Sequence, residues 1–185
     1  ENSVLTWDKT KIFAALRFTN AITLFGHGNP TAMGPKPYPT DQTITAEEIL
    51  KTFAPKGKRL LAGRVRFVAV LGCNTGGSAQ DEEGSDSALR QPAAGTIADA
   101  FLKAGVDCVM FSVGKIATHA ASDFIEKFFV YATKFKKFAP GWFPPLFPRP
   151  YYYRIFASKA AEKAKRKLLF THRYNLSCVH AISQF

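Results

Sequence analysis

The feature that most constrains the fold of this 185-residue chain is the run VRFVAVL, from Val65 to Leu71. The run is rich in valine and almost wholly apolar, and it ends at Gly72, which is typical of a strand buried on both faces. Strands of this kind belong to parallel sheets that are covered by helices. Two further apolar runs, residues 21–25 (AITLF) and 106–113 (VDCVMFSV), predict two more such strands.

Helical patterns alternate with these strands. Apolar residues at helical spacing predict helices over residues 8–18, 45–53, 96–104 and 117–138, followed by a basic helix over 157–170. The second of these helices opens with a capping box formed by Thr45 and Glu48. The alternation predicts the α/β class, with a mostly parallel sheet between two helical layers in an α/β/α sandwich.

The composition fits one domain with a sizeable core, since 46% of the residues are hydrophobic. No stretch reaches the roughly 18 uncharged apolar residues of a membrane span, so no membrane partner is expected. The three cysteines, at positions 73, 108 and 178, form no C-x-x-C pair and no zinc-like spacing. We therefore expect no metal, no cofactor, and a reducing, cytoplasmic location.

The net charge of +11 is unevenly distributed. Residues 1–133 carry 14 basic and 13 acidic side chains, whereas residues 134–185 carry 11 basic and 1 acidic. A basic tail of this kind suits an acidic partner, a membrane surface or a polyanion, although it is more commonly a solvated helix face. Nucleic acid stays an open but disfavoured partner, because the tail lacks the context of a known RNA- or DNA-binding motif.

Two residues at predicted strand ends suggest cysteine chemistry. Cys73 follows the strand that ends at Leu71 and precedes a turn of small residues, while His27 lies between Gly26 and Gly28. Nucleophilic catalysis by cysteine needs a nearby imidazole and N–H donors for the developing oxyanion. If the two strands are neighbours, both groups reach the same edge of the sheet.

The segments LFGHG, VLGCNTGG and TIADAFLKAGVDCVMFSV together resemble a CHAT domain, from the caspase, separase and gingipain clan of cysteine peptidases. The similarity runs from about residue 22 to about residue 136 and resumes over 158–168. It implies a caspase-like core over residues 1–138, with residues 139–185 as a proline- and aromatic-rich connection and a basic helix of the same domain.

The resemblance also implies an activity and its residues. It implies an endopeptidase working through an acyl-enzyme, in which Cys73 is the nucleophile, His27 protonates the leaving amine, and the N–H groups of Gly28 and Cys73 form the oxyanion hole. The substrate is then a protein or peptide, and a sensor or regulatory protein is the expected activating partner. Asp81, Glu82 and Asp86, in the acidic loop after the nucleophile, are possible ligands of a basic substrate side chain, although such charges are more commonly solvated. Ser112, Val113 and Gly114 are possible substrate-binding residues because the family often borders its substrate after the third strand.

The chain departs from the family after the third strand, where many CHAT domains carry a Trp and acidic residues. Here Gly114, Lys115 and Ile116 follow instead, so the substrate preference does not carry over. Two alternatives stay open. One is a catalytically silent binding module that uses the basic tail. The other is a glutamine amidotransferase or α/β-hydrolase, which the sequence disfavours because those enzymes place the histidine after the nucleophile.

Overall fold

The computed structural model describes residues 7–77, 91–137, 149–172 and 179–183. Within these ranges the α-helices are α1 (Lys9–Ala15), α2 (Ala46–Phe53), α3 (Ile97–Lys103), α4 (Thr118–Lys137) and α5 (Arg149–His172). The β-strands are β1 (Ala21–Phe25), β2 (His27–Gly28), β3 (Ala32–Gly34), β4 (Ile44–Thr45), β5 (Phe67–Leu71), β6 (Cys108–Ser112) and β7 (Val179–Ser183).

The main sheet has the strand order β1-β5-β6-β7. Strands β1, β5 and β6 are parallel, and β7 adds to the free edge of β6 in the antiparallel direction. The parallel strands are those expected from the three apolar runs, each within two residues of the predicted limits. Because β5 lies between β1 and β6, it is an interior strand, and four of its five residues are buried.

Side chains of β5 alternate between two hydrophobic layers, as the pleat of a strand requires. Val68 and Val70 pack into one layer with residues of α1, α2 and α3. Ala69 and Leu71 pack into the other layer with residues of α4 and α5. Helices therefore cover both faces of a mostly parallel sheet, and the predicted α/β/α sandwich is confirmed.

The helix starts follow from side-chain caps that the sequence contains. Thr45 accepts a hydrogen bond from the Glu48 amide, and the Glu48 carboxylate accepts one from the Thr45 amide, so the predicted capping box of α2 is confirmed. Asp8 and Thr96 cap α1 and α3 in the same way, each accepting a bond from a backbone N–H of the first turn. These caps satisfy N–H groups that have no partner within the helix.

A small antiparallel sheet follows β1 directly. It consists of β2, β3 and β4, with His27 paired to Gly34 and Met33 paired to both Gly28 and Ile44. The antiparallel pairing of β2 with β3 makes the first two strands a short hairpin. The hairpin anchors His27 in extended backbone at the end of β1.

The C-terminal part differs from the sequence prediction. Helix α5 begins at Arg149, eight residues before the predicted start, and the antiparallel strand β7 was not predicted. Predictions for residues 78–90 and 138–148 lie outside the described residues. None of the helices in the described ranges is long and apolar enough to cross a membrane.

Candidate active site

The site lies where β1 and β5 end. The two strands pair in parallel, with Phe25 opposite Leu71 at their carboxyl ends. The segments that follow, Gly26-His27-Gly28 and Gly72-Cys73, therefore leave the sheet side by side. In open α/β sheets this edge is where ligands bind.

The two glycine segments pack directly against each other. A Cβ atom built on Gly72 would lie 3.0 Å from Gly26 O and 3.1 Å from both Gly28 N and Gly28 Cα. A Cβ atom built on Gly28 would lie 3.0 Å from Cys73 O. The absence of side chains at Gly28 and Gly72 is thus what allows the Gly26 and Gly28 backbone to approach Gly72 and the Cys73 carbonyl so closely.

The turn after Cys73 is held in a defined shape. Asn74 adopts a left-handed conformation with φ of +56°, which asparagine tolerates better than most residues. The Asn74 N–H donates to Gly114 O (3.0 Å), and the Gly76 N–H donates to Ser112 O (2.8 Å). The turn is therefore fixed to the end of β6 and to the segment that follows it.

Cys73 is half-buried and His27 is exposed. The Cys73 Sγ donates a long hydrogen bond to Ile116 O, at 3.8 Å. Among the described residues, the thiol makes no hydrogen bond to the His27 imidazole. Catalytic hydrogen bonds are often long or unformed without substrate and tighten on binding, so this arrangement suits a substrate-free state.

The Gly28 N–H points away from the small sheet. The Asn29 N–H donates to Ala32 O (2.9 Å) across the hairpin, and antiparallel ladders alternate between bonded and non-bonded pairs. Gly28, which pairs with Met33, therefore occupies a non-bonded position, so its N–H is directed out of the small sheet. A Cβ atom built on Gly72 would lie 3.1 Å from Gly28 N. A donor at this position can serve the oxygen of a bound carbonyl next to Cys73.

A buried polar cluster lies beneath the nucleophile turn and was not anticipated as functional. Thr75 and Ser112 are fully buried. The Thr75 hydroxyl lies 2.7 Å from its acceptor Val70 O and accepts from the Ser112 N–H at 3.2 Å, and the Ser112 hydroxyl donates to Gly72 O. The sequence showed Thr75 only as one small residue of a turn, because its partner in β6, Ser112, lies 37 positions away along the chain.

The predicted substrate-binding residues fall into two groups. Asp81, Glu82 and Asp86 lie outside the described residues. Ser112 and Val113 are buried at the end of β6, and Gly114 is half-buried, with its carbonyl bonded to the Asn74 N–H. Contact of these residues with substrate stays a prediction. The Ser112 hydroxyl already donates a hydrogen bond within the protein, to Gly72 O.

Comparison of the chain with models of known protein families finds no match, and comparison with curated proteins finds no significant relative. Within the described ranges, no three His, Cys, Asp or Glu side chains come together in a way that could hold a metal ion. The chemistry that the described site can offer is that of a thiol, an imidazole and backbone N–H donors. These groups suit acyl transfer.

Proposed function

We propose that the protein is a cysteine endopeptidase in which Cys73 and His27 form the catalytic dyad. The observation that carries this proposal is the packing of the Gly26–Gly28 segment against Gly72 and Cys73 at the ends of two adjacent parallel strands. This packing brings the half-buried Cys73, the backbone on either side of the exposed His27, and the Gly28 N–H to the same edge of the sheet. The resemblance of the same segments to CHAT domains supports the same activity.

In the proposed reaction, the Cys73 thiol gives its proton to His27 and its sulfur forms a bond to the carbonyl carbon of the peptide. The carbonyl π electrons move to the oxygen, which accepts hydrogen bonds from the Gly28 and Cys73 N–H groups. When the intermediate collapses, the C–N bond breaks and the leaving amine takes the proton from His27. Water then gives a proton to His27, attacks the thioester and releases the carboxylic acid, and the sulfur regains its proton.

The test is turnover of a library of fluorogenic tetrapeptide amides that vary at the residue before the scissile bond. Cys73→Ala and His27→Ala are each expected to reduce turnover by at least about 1,000-fold, because members of a catalytic unit lose activity together. Iodoacetamide is expected to label Cys73 faster than Cys108, which is only 2% exposed in β6. Peptide mapping gives both rates. Equal labelling of the two cysteines in folded protein, or full activity of either variant, would contradict the proposal.

Activation by a regulatory partner and a cytoplasmic location are further parts of this proposal. A reducing compartment keeps a catalytic thiol free, which is why the location follows from the chemistry. The chain resembles CHAT domains, and CHAT domains are often joined to sensing modules. This association supports activation by another protein.

A second candidate function is binding without catalysis, through the outer face of α5. Lys159, Arg166 and Lys167 are exposed there, and Leu169 and Phe170 are 52% and 84% exposed. Basic and apolar side chains on one face suit an acidic protein surface. Tight partner binding that survives Cys73→Ala, together with no turnover of any library peptide, would favour this candidate over the peptidase.

A further inference from the structure

We propose that Thr75 is a positioning residue that sets the spacing between the two oxyanion donors, the N–H groups of Gly28 and Cys73. This inference rests on the proposed peptidase function. Thr75 contacts neither the thiol nor the imidazole in the described contacts. It acts through its two side-chain arms, a hydroxyl anchored to the sheet and a methyl group directed at the neighbouring glycine segment.

The hydroxyl fixes Thr75 to two strands at once. It donates to Val70 O of β5 (2.7 Å), lies 3.3 Å from Gly72 O, and accepts from the Ser112 N–H of β6 (3.2 Å). Since Thr75 is fully buried, water does not compete for these bonds. The turn that carries Cys73 is thereby held in register with the ends of β5 and β6.

Ser112 completes this anchor. Its hydroxyl donates to Gly72 O, and its carbonyl accepts from the Gly76 N–H (2.8 Å). The residues immediately before and after the Cys73–Thr75 stretch are therefore both bonded to Ser112. The nucleophile turn cannot shift along β6 without breaking several buried hydrogen bonds, each of which is costly to leave unmade.

The methyl arm reaches the other segment of the site. A Cβ atom built on Gly28 would lie 3.0 Å from Thr75 Cγ2, so the methyl group lies in direct contact with the Gly28 backbone. The Cys73 carbonyl lies equally close to the same point, at 3.0 Å. The Cys73 carbonyl and the Thr75 methyl thus both border Gly28 on the side where a side chain would project. Together they limit how closely the Gly28 backbone approaches the nucleophile turn, and through this limit Thr75 sets the spacing of the two N–H donors.

This spacing matters for the reaction because oxyanion donors act on charge that develops only in the transition state. Loss of the methyl contact is therefore expected to reduce kcat with little change in KM. Alkylation of Cys73 by iodoacetamide forms no oxyanion, so its rate serves as an internal reference for thiol reactivity. A residue that only stabilised the fold would not separate these two rates.

Two substitutions separate the two arms. Thr75→Ser keeps the hydroxyl and removes the methyl group, whereas Thr75→Val keeps a methyl at that position and removes the hydroxyl. Thr45→Val is the control, because it removes the hydroxyl that caps α2 without touching the nucleophile turn. For each variant the urea midpoint, kcat and KM on the best library peptide, and the Cys73 alkylation rate are measured.

We expect Thr75→Val to unfold at lower urea than Thr75→Ser, because it leaves the Ser112 N–H buried without its acceptor. Thr75→Ser should nevertheless lose more activity than Thr75→Val. We expect its kcat to fall at least about 10-fold, while KM and the alkylation rate stay within about 2-fold of wild type. This combination is what a disturbed oxyanion hole produces. Activity that follows the order of stability, or wild-type kcat in Thr75→Ser, would overturn the inference.

A wild-type protein that cleaves no library peptide would count against the proposed function and leave the inference testable by NMR. The Gly28 amide order parameter from ¹⁵N relaxation is then compared across the variants. A lower value in Thr75→Ser but not in Thr45→Val supports the positioning role. Equal values in Thr75→Ser and wild type overturn it.

Discussion

Gly76 occupies a position in the nucleophile turn where no side chain fits. A Cβ atom built there would lie 2.0 Å from Cδ2 of Phe111, whose ring is fully buried in the core. Gly76→Ala must therefore displace the ring or the turn, and we expect a loss of about 1–3 kcal/mol in the free energy of unfolding. Urea denaturation measures this loss. Phe111→Leu in the same chain should recover part of it, and a double variant no better than the sum of the two single variants would contradict the steric cause.

The residues of the site differ in how far the sequence could reveal them. Cys73, His27 and Gly28 follow apolar runs that each end in glycine, and the parallel pairing of β1 and β5 is enough to bring such residues together. The roles of Thr75 and Ser112 depend on the register between β5 and β6. A threonine in a turn and a serine at a strand end carry no sign of that register in a single sequence. The buried hydrogen bonds between Thr75 and Ser112 could therefore be found only from the structure.

At the scale of single elements, the start of α2 is linked to α1 through Glu48. The Lys9 Nζ lies 2.6 Å from Glu48 Oε1, and the Thr45 N–H donates to Glu48 Oε2 at 3.1 Å. Burial by itself raises the pKa of Glu48, but the hydrogen bonds from Lys9 and from the Thr45 amide lower it by more. The pKa therefore lies below its ordinary value of 4.5.

A lowered carboxyl pKa stabilises the folded state above the unfolded pKa, and this contribution is lost as the pH falls through the lowered value. Glu48→Gln should thus reduce the free energy of unfolding at neutral pH by less than about 1 kcal/mol, because the side chain is 39% exposed. The difference from wild type should shrink as the pH is lowered below 4.5. Urea denaturation at several pH values measures it.

Glu47→Gln is the matched control for this prediction, since it removes the same charge from the same helical turn. Glu47 is exposed and is not part of the capping box. We expect a smaller pH-dependent difference for Glu47→Gln than for Glu48→Gln. Equal pH dependence of the two variants would mean that general charge on the helix, rather than the contact with Lys9 and Thr45, causes the effect.

Element boundaries were predictable where a local signal marks them. Caps at Asp8, Thr45 and Thr96 fixed three helix starts, because each side chain satisfies a backbone N–H that the helix leaves free. Strand β7 has no comparable signal. Its five residues include His180 and Ser183, and it becomes a strand by pairing with the edge of β6, which is a tertiary event.

For the whole molecule, the sheet separates two hydrophobic layers that have different origins in the chain. The layer of α1, α2 and α3 comes from residues up to Val113, the first residue after β6. The opposite layer draws on α4, α5 and β7, which follow it. The candidate site is built from β1, β5 and the segment after β6, so it depends on strands that both layers cover.

Leu168 tests whether the two layers unfold together. It is fully buried in the layer of α4 and α5, and Leu168→Ala should lower the free energy of unfolding by about 2–5 kcal/mol through lost burial and a residual cavity. If the two layers unfold together, amide hydrogen exchange at Leu24 in β1 should accelerate as much as exchange at Met110 in β6. Both amides would then exchange only through global unfolding of the protein. Faster exchange confined to α4, α5 and β7 would show instead that the C-terminal layer opens separately. In that case β1 and β5, the strands that precede His27 and Cys73, would remain folded without the C-terminal layer.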